Sequence, residues 1–144
     1  MASIIFTISP RCGKRHGPRP GNESAYNQRD KVLMRLGFAS YRDYLRSALW
    51  KELREEKLAA NARCEICGDK AQIVHHISYR RNSLAGKHLG GLVSLCNRCH
   101  CRVELREDGT KRGFEATLKK TKRLLKSRRR DATIAAPIAA EDHD

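Results

Sequence analysis

Apolar positions along the 144-residue chain recur with two different periods, and the switch between them separates its parts. Val32, Leu33 and Leu36 share one side of a short helix predicted over 25–36, with Gly37 as its stop. Ser40 is a good N-cap with Asp43 three residues on. Tyr41, Tyr44, Leu45, Ala48 and Leu49 then follow the i, i+3, i+4, i+7, i+8 pattern of an amphipathic helix. Leu53 continues the stripe, so one helix is predicted from Ser40 to about Ala60. Its opposite face carries Arg42, Arg46, Lys51 and Glu55, expected to be solvated while the apolar face packs on the rest of the domain. The period changes at 71–77 and 92–95, two short runs rich in β-branched residues that read as strands. A polar loop with Asn82, Gly86, Gly90 and Gly91 joins them. Asn97 to about Glu107 reads as a helix stopped by Asp108 and Gly109. A last helix is expected over about 113–130, with Phe114, Leu118 and Leu125 as its apolar edge. The Gly- and Pro-rich residues 1–24 and the acidic residues 131–144 are expected to be a disordered arm and tail. The fold class that follows is α+β: a small central module over 62–110, preceded by a helical extension over 25–61 and followed by the helix at 111–130.

Charge sharpens this outline. Thirty Lys and Arg stand against sixteen Asp and Glu, a net charge of +14. No apolar run is long enough to span a bilayer, and the start of the chain lacks the apolar core of a secretory signal. The expectation is a cytoplasmic protein with no membrane association and with DNA as its polyanionic partner. Residues 64–110 carry only +2, whereas 111–130 carry +9. Lys119, Lys120, Lys122, Arg123, Lys126, Arg128, Arg129 and Arg130 are therefore the candidate nucleic-acid contacts. Charge alone does not separate an enzyme from a passive binder.

Four of the six cysteines form two Cys-x-x-Cys pairs, Cys64/Cys67 and Cys96/Cys99. Two residues between thiolates let both reach one ion from a tight turn, so the spacing suits a tetrahedral structural Zn²⁺. Gly68 supports such a turn because it adopts positive φ without steric cost. Disulfides fit an intracellular protein poorly, and a redox motif does not explain two matched pairs. Structural zinc supplies about 10–16 kcal/mol in small zinc peptides, comparable to the whole stability of a domain. Cys12 and Cys101 are left as ordinary thiols.

Histidines supply the remaining chemistry. His75 and His76 are adjacent on the first strand and so point to opposite faces, which divides their roles. One can bind a metal while the other, expected near solvent at the hairpin end, takes a proton from water. His100 directly follows Cys99, and Glu104 lies four residues on, on the same helix face. Glu104 reads either as a further ligand or as a solvent-facing helix residue.

Order, spacing and flanking apolar residues together resemble the HNH endonuclease family, with its ββα-metal fold. The resemblance covers about residues 62–107 and rests on Cys64-x-x-Cys67, Val74-His75-His76-Ile77 and Leu92-Val93-Ser94-Leu95-Cys96-x-x-Cys99-His100. The run from Tyr41 to Trp50 also looks like the helix preceding the motif in some bacterial members. The resemblance implies that His75 and His100 hold a catalytic divalent cation, most often Mg²⁺ or Mn²⁺, and that His76 is the base. It also implies cleavage of DNA phosphodiesters to 5′-phosphate and 3′-hydroxyl ends. One position departs from the pattern. Gly91 stands where the family has Asn or Asp, keeping the backbone carbonyl but losing the side chain that braces the loop. A zinc-containing DNA-binding module with weak or no catalysis is the alternative this substitution leaves open.

Overall fold

The computed structural model describes residues 24–134, with side chains to residue 132. Among them, mixed helix and strand surround one two-stranded antiparallel sheet. The predicted arm and tail lie outside the described residues except at their inner ends, as does Cys12.

Helix α1 spans Ala25–Arg35, and its Ser24 cap accepts a hydrogen bond from the Asn27 N–H. The stripe that predicted one helix from Ser40 to Ala60 is instead two, α2 (Tyr41–Arg46) and α3 (Ala48–Ala60). Ser47 divides them in an extended conformation, φ −72° and ψ 157°. Its hydroxyl donates to the Tyr44 carbonyl at 2.6 Å and accepts from the Trp50 N–H at 3.2 Å, so one side chain ends α2 and caps α3. The break rotates the second half of the stripe. Trp50, Leu53 and Lys57 turn inward on α3, while Leu49 is only half-buried.

Strands β1 (Ile73–His76) and β2 (Leu92–Leu95) pair with Ile73 opposite Leu95 and His76 opposite Leu92. The connecting loop holds a helical turn, α4 (Arg81–Leu84), and a 3-10 turn at Leu89–Gly91. Helix α5 (Asn97–Glu104) follows β2 directly and packs against β1. It ends three residues before the predicted stop, because Leu105 bridges to Lys111 across a tight turn containing Gly109. Helix α6 spans Phe114–Ile134 and so runs four residues into the segment expected to be a disordered tail. Its most buried side chains are Thr117 and Thr121, which lie beside the predicted Leu118 and Leu125 edge. Thr121 satisfies its hydroxyl by donating to the Thr117 carbonyl at 2.8 Å, which lets a polar residue face the interior.

Two apolar clusters flank the hairpin. One joins α1, α2, α3 and the loop through Leu33, Tyr44, Trp50, Leu53, Val74, Leu84 and Leu92. The other gathers the cysteines with Val93, Leu95 and Val103 against α6. A half-buried ion pair ties α3 to the turn that carries Cys64 and Cys67. Lys57, 6% exposed, meets the Glu65 carboxylate at 3.1 Å, and the same carboxylate accepts the Ser94 N–H at 2.7 Å. No helix among the described residues is long and apolar enough to cross a membrane.

Candidate metal centres

The two Cys-x-x-Cys pairs meet. The turn after Cys64 closes through the Gly68 N–H donating to the Cys64 carbonyl at 2.9 Å, and Gly68 takes φ +86° as its place in the turn requires. Cys96 caps α5, its sulfur accepting the Cys99 N–H at 3.4 Å. The four sulfurs lie within 4.8 Å of one another, and Cys67 and Cys96 are 3.6 Å apart. Sulfurs about 2.3 Å from a tetrahedral ion are separated by about 3.8 Å, so the set could hold a metal ion. The thiols themselves call for a cation. Burial opposes the Cys64 thiolate, yet backbone N–H groups of Cys96, Cys67 and Ile66 bring its pKa down to about 7. Burial and the neighbouring sulfurs push the Cys99 thiol far up instead. Four thiolates cannot form side by side unless a positive charge joins them.

His75, His100 and Glu104 form a second group, again with donor atoms within 4.8 Å. Glu104 Oε1 lies 3.7 Å from His75 Nδ1 and 3.6 Å from His100 Nε2. Glu104 is thus brought to the histidines and is not a freely solvated helix residue. Lys111, held beside it by the Leu105 bridge, places Nζ 3.2 Å from the other carboxylate oxygen. Burial lowers the His75 pKa to about 4 and also lowers that of His100, with Lys111 adding to both and Glu104 opposing. Both rings are therefore neutral near pH 7, the form that coordinates metal. Three such donors would leave further coordination positions of an ion free for other ligands.

His76 departs from expectation. It is 4% exposed and not near solvent, because the strand turns it into the aromatic cluster of α2 and α3. Trp50 stacks on its ring at 4.6 Å and 24°. The Tyr41 hydroxyl lies 3.2 Å from Nδ1 and that of Tyr44 3.5 Å from Nε2. Burial, then His75 and Arg29, hold its pKa down at about 3. Burial likewise raises the pKa values of Tyr41, Tyr44 and Tyr79, so all three phenols stay protonated. Arg29 covers the outer side of this box, its guanidinium 4.0 Å from the Tyr41 ring centre and 2.7 Å from Asp30.

Gly91 is explained by its neighbour. A β-carbon there would lie 2.6 Å from the Cβ of the fully buried Ser83 and closer still to its Oγ. The space that a side chain at 91 would need is already filled. The Gly91 carbonyl accepts the Ile77 N–H at 2.9 Å, extending the ladder past His76.

The basic residues of α6 do not act as one group. The Arg128 guanidinium lies over Gly68, and Arg128 and Arg129 line a recess with Arg63, Cys64 and Glu65. Lys119, Lys120 and Arg123 face a different trough with Arg112, which the sequence pattern did not nominate. Lys122, Lys126 and Arg130 are exposed. No protein-family model and no curated protein matches the chain.

Proposed function

We propose that the chain is a metal-dependent endonuclease of the HNH type acting on DNA. The observation that carries this reading is the convergence of His75, His100 and Glu104 beside a separate, closed cysteine cluster. In this reading Cys64, Cys67, Cys96 and Cys99 hold structural Zn²⁺, and the open set holds Mg²⁺ or Mn²⁺. A divalent ion there offsets charge on the scissile phosphate and lowers the pKa of bound water. Neutral His75 and His100 supply lone pairs, and Glu104 supplies the negative charge. His76 is the proposed proton acceptor: it is neutral and so carries a free lone pair, although burial makes it a weaker base than free imidazole. Tyrosine hydroxyls stand first on the proton paths to its ring, Tyr41 at Nδ1 and Tyr44 at Nε2.

A second reading is favoured by the same histidine. With both nitrogens facing tyrosine hydroxyls and 4% exposure, His76 also suits a purely structural role. The protein would then be a DNA-binding module with little or no cleavage. A plasmid assay with Mg²⁺ or Mn²⁺ separates the two. The wild type should nick or linearise the plasmid, and His100→Ala should lose at least about 100-fold in rate while retaining its zinc. Equal cutting by both proteins rejects the metal assignment. No cutting by a wild type that still binds DNA selects the second reading.

A further inference from the structure

The cations flanking the open donor set are arranged as a line. Lys111 touches Glu104, and the next residue, Arg112, donates its backbone N–H to the Glu104 carbonyl at 2.7 Å. Arg112, Ala116, Lys119, Lys120 and Arg123 then line one trough of about 310 Å³ along α6. Within α6, spacings of three, one and three residues keep Ala116, Lys119, Lys120 and Arg123 on one helix face, and Arg112 precedes the helix. That face is opposite the one through which Thr117, Thr121 and Leu125 pack. From 116 to 123 the helical part of the line is about 10 Å long at 1.5 Å per residue.

The field along this line is strongly positive. Lys120 has its pKa lowered by desolvation and by Arg123, Arg102 and Arg112, with Glu107 opposing. Arg102 on α5 thus belongs to the same patch. Arg112 Nε is buried and has no hydrogen-bond partner. Gathering five cations around a trough is unfavourable by mutual repulsion until a polyanion enters.

We propose that this face of α6, together with Arg102 and Arg112, is the seat of a duplex DNA backbone strand, and that the line leads the strand to the His75–His100–Glu104 set. The inference rests on reading DNA as the partner. Arg128 lies outside it, its guanidinium being placed over the cysteine turn. Ala116 is the one uncharged residue among those lining the trough.

The test is fluorescence anisotropy with a labelled 20-base-pair duplex over a salt series, without added Mg²⁺ or Mn²⁺. The variant Lys119→Gln/Lys120→Gln/Arg123→Gln is compared with a charge-matched control on exposed positions of α2 and α3, Arg42→Gln/Arg46→Gln/Lys51→Gln. Zinc content and thermal melting establish that both remain folded. The trough variant should bind at least about 10-fold more weakly at physiological salt. Its slope of log affinity against log salt should fall by about 2–3, near 0.9 per lost phosphate contact. The control should stay within about twofold of wild type. Equal losses in both variants, or a larger loss in the control, would overturn the seat while leaving DNA as the partner. A wild type that does not bind the duplex overturns the partner and the seat together.

Discussion

The cysteine cluster and the His75–His100–Glu104 set sit on the same hairpin and helix, yet they are built on opposite terms. The four sulfurs come from the Cys64–Gly68 turn and the start of α5, are mostly buried, and close around their centre with like donors. The histidine set mixes two neutral rings with a carboxylate and borders the half-exposed Lys111. A closed set of four spends its whole coordination on holding chain segments together. An open set of three keeps positions for something that comes and goes. The difference separates a set suited to tying chain segments together from one suited to exchanging a ligand.

The sharpest way to break this comparison is to remove one donor from each. In the proposed reading, in which the four sulfurs hold zinc, Cys99→Ser should abolish metal binding and the cooperative melting transition together, since such an ion supplies energy comparable to a whole fold. His100→Ala should melt within about 1 kcal/mol of wild type, because its ring is partly exposed and removes no closing ligand. Calorimetry with parallel zinc analysis measures both. If His100→Ala also failed to fold, the open set would be structural too.

A smaller effect is expected where β2 begins. Gly91→Ala forces a methyl group against buried Ser83 and should cost about 1–3 kcal/mol by overpacking. Adding Ser83→Gly should recover part of that loss, and urea titration of the double-mutant cycle gives the coupling. Strict additivity would mean that Ser83 is not what excludes a side chain at 91.

Acid probes both histidines at once. His75 and His76 have folded pKa values of about 4 and 3, below the unfolded value of about 6.5. The unfolded chain therefore binds more protons below pH 6.5. Stability is full above that pH and falls as the pH drops toward 4 and then 3. Each histidine contributes a loss of about 1.4 kcal/mol per pH unit inside its window. Urea midpoints at pH 7, 6 and 5, read through Trp50 beside His76, should decline, with zinc content followed in the same samples. A flat profile from pH 7 to 5 would show that neither ring is held neutral by the fold.

The sequence spoke clearly wherever spacing along the chain decides spacing in space. The Cys-x-x-Cys turns, the hairpin, the opposite facing of His75 and His76, and the i, i+4 pairing of His100 with Glu104 all follow from local periodicity. The break at Ser47 did not show, because the apolar stripe runs unbroken through it and only the competition of a hydroxyl for backbone partners ends the helix. A serine inside a helical stripe is the faint signal that was there. The aromatic box around His76 was hidden for another reason: Tyr41 and Tyr44 lie 35 and 32 residues away from it. Ser83 against Gly91 and Arg112 beside Lys119 are likewise facts of packing. Long-range neighbours leave no period to read.

The pairing of β1 with β2 has a consequence for how such a chain tolerates error. Because side chains alternate along a strand, a shift of one residue exchanges the two faces of β1. With adjacent histidines, a shift in one direction brings His76 to the donor face and Ile77 to the box. A shift in the other direction brings Val74 to the donor face and His75 to the box. Either misregistered strand thus still offers an imidazole to one of the two sites, and only the paired arrangement serves both. The doubled residue acts as a parity check on the strand, read at once by an aromatic box on one side and a carboxylate on the other.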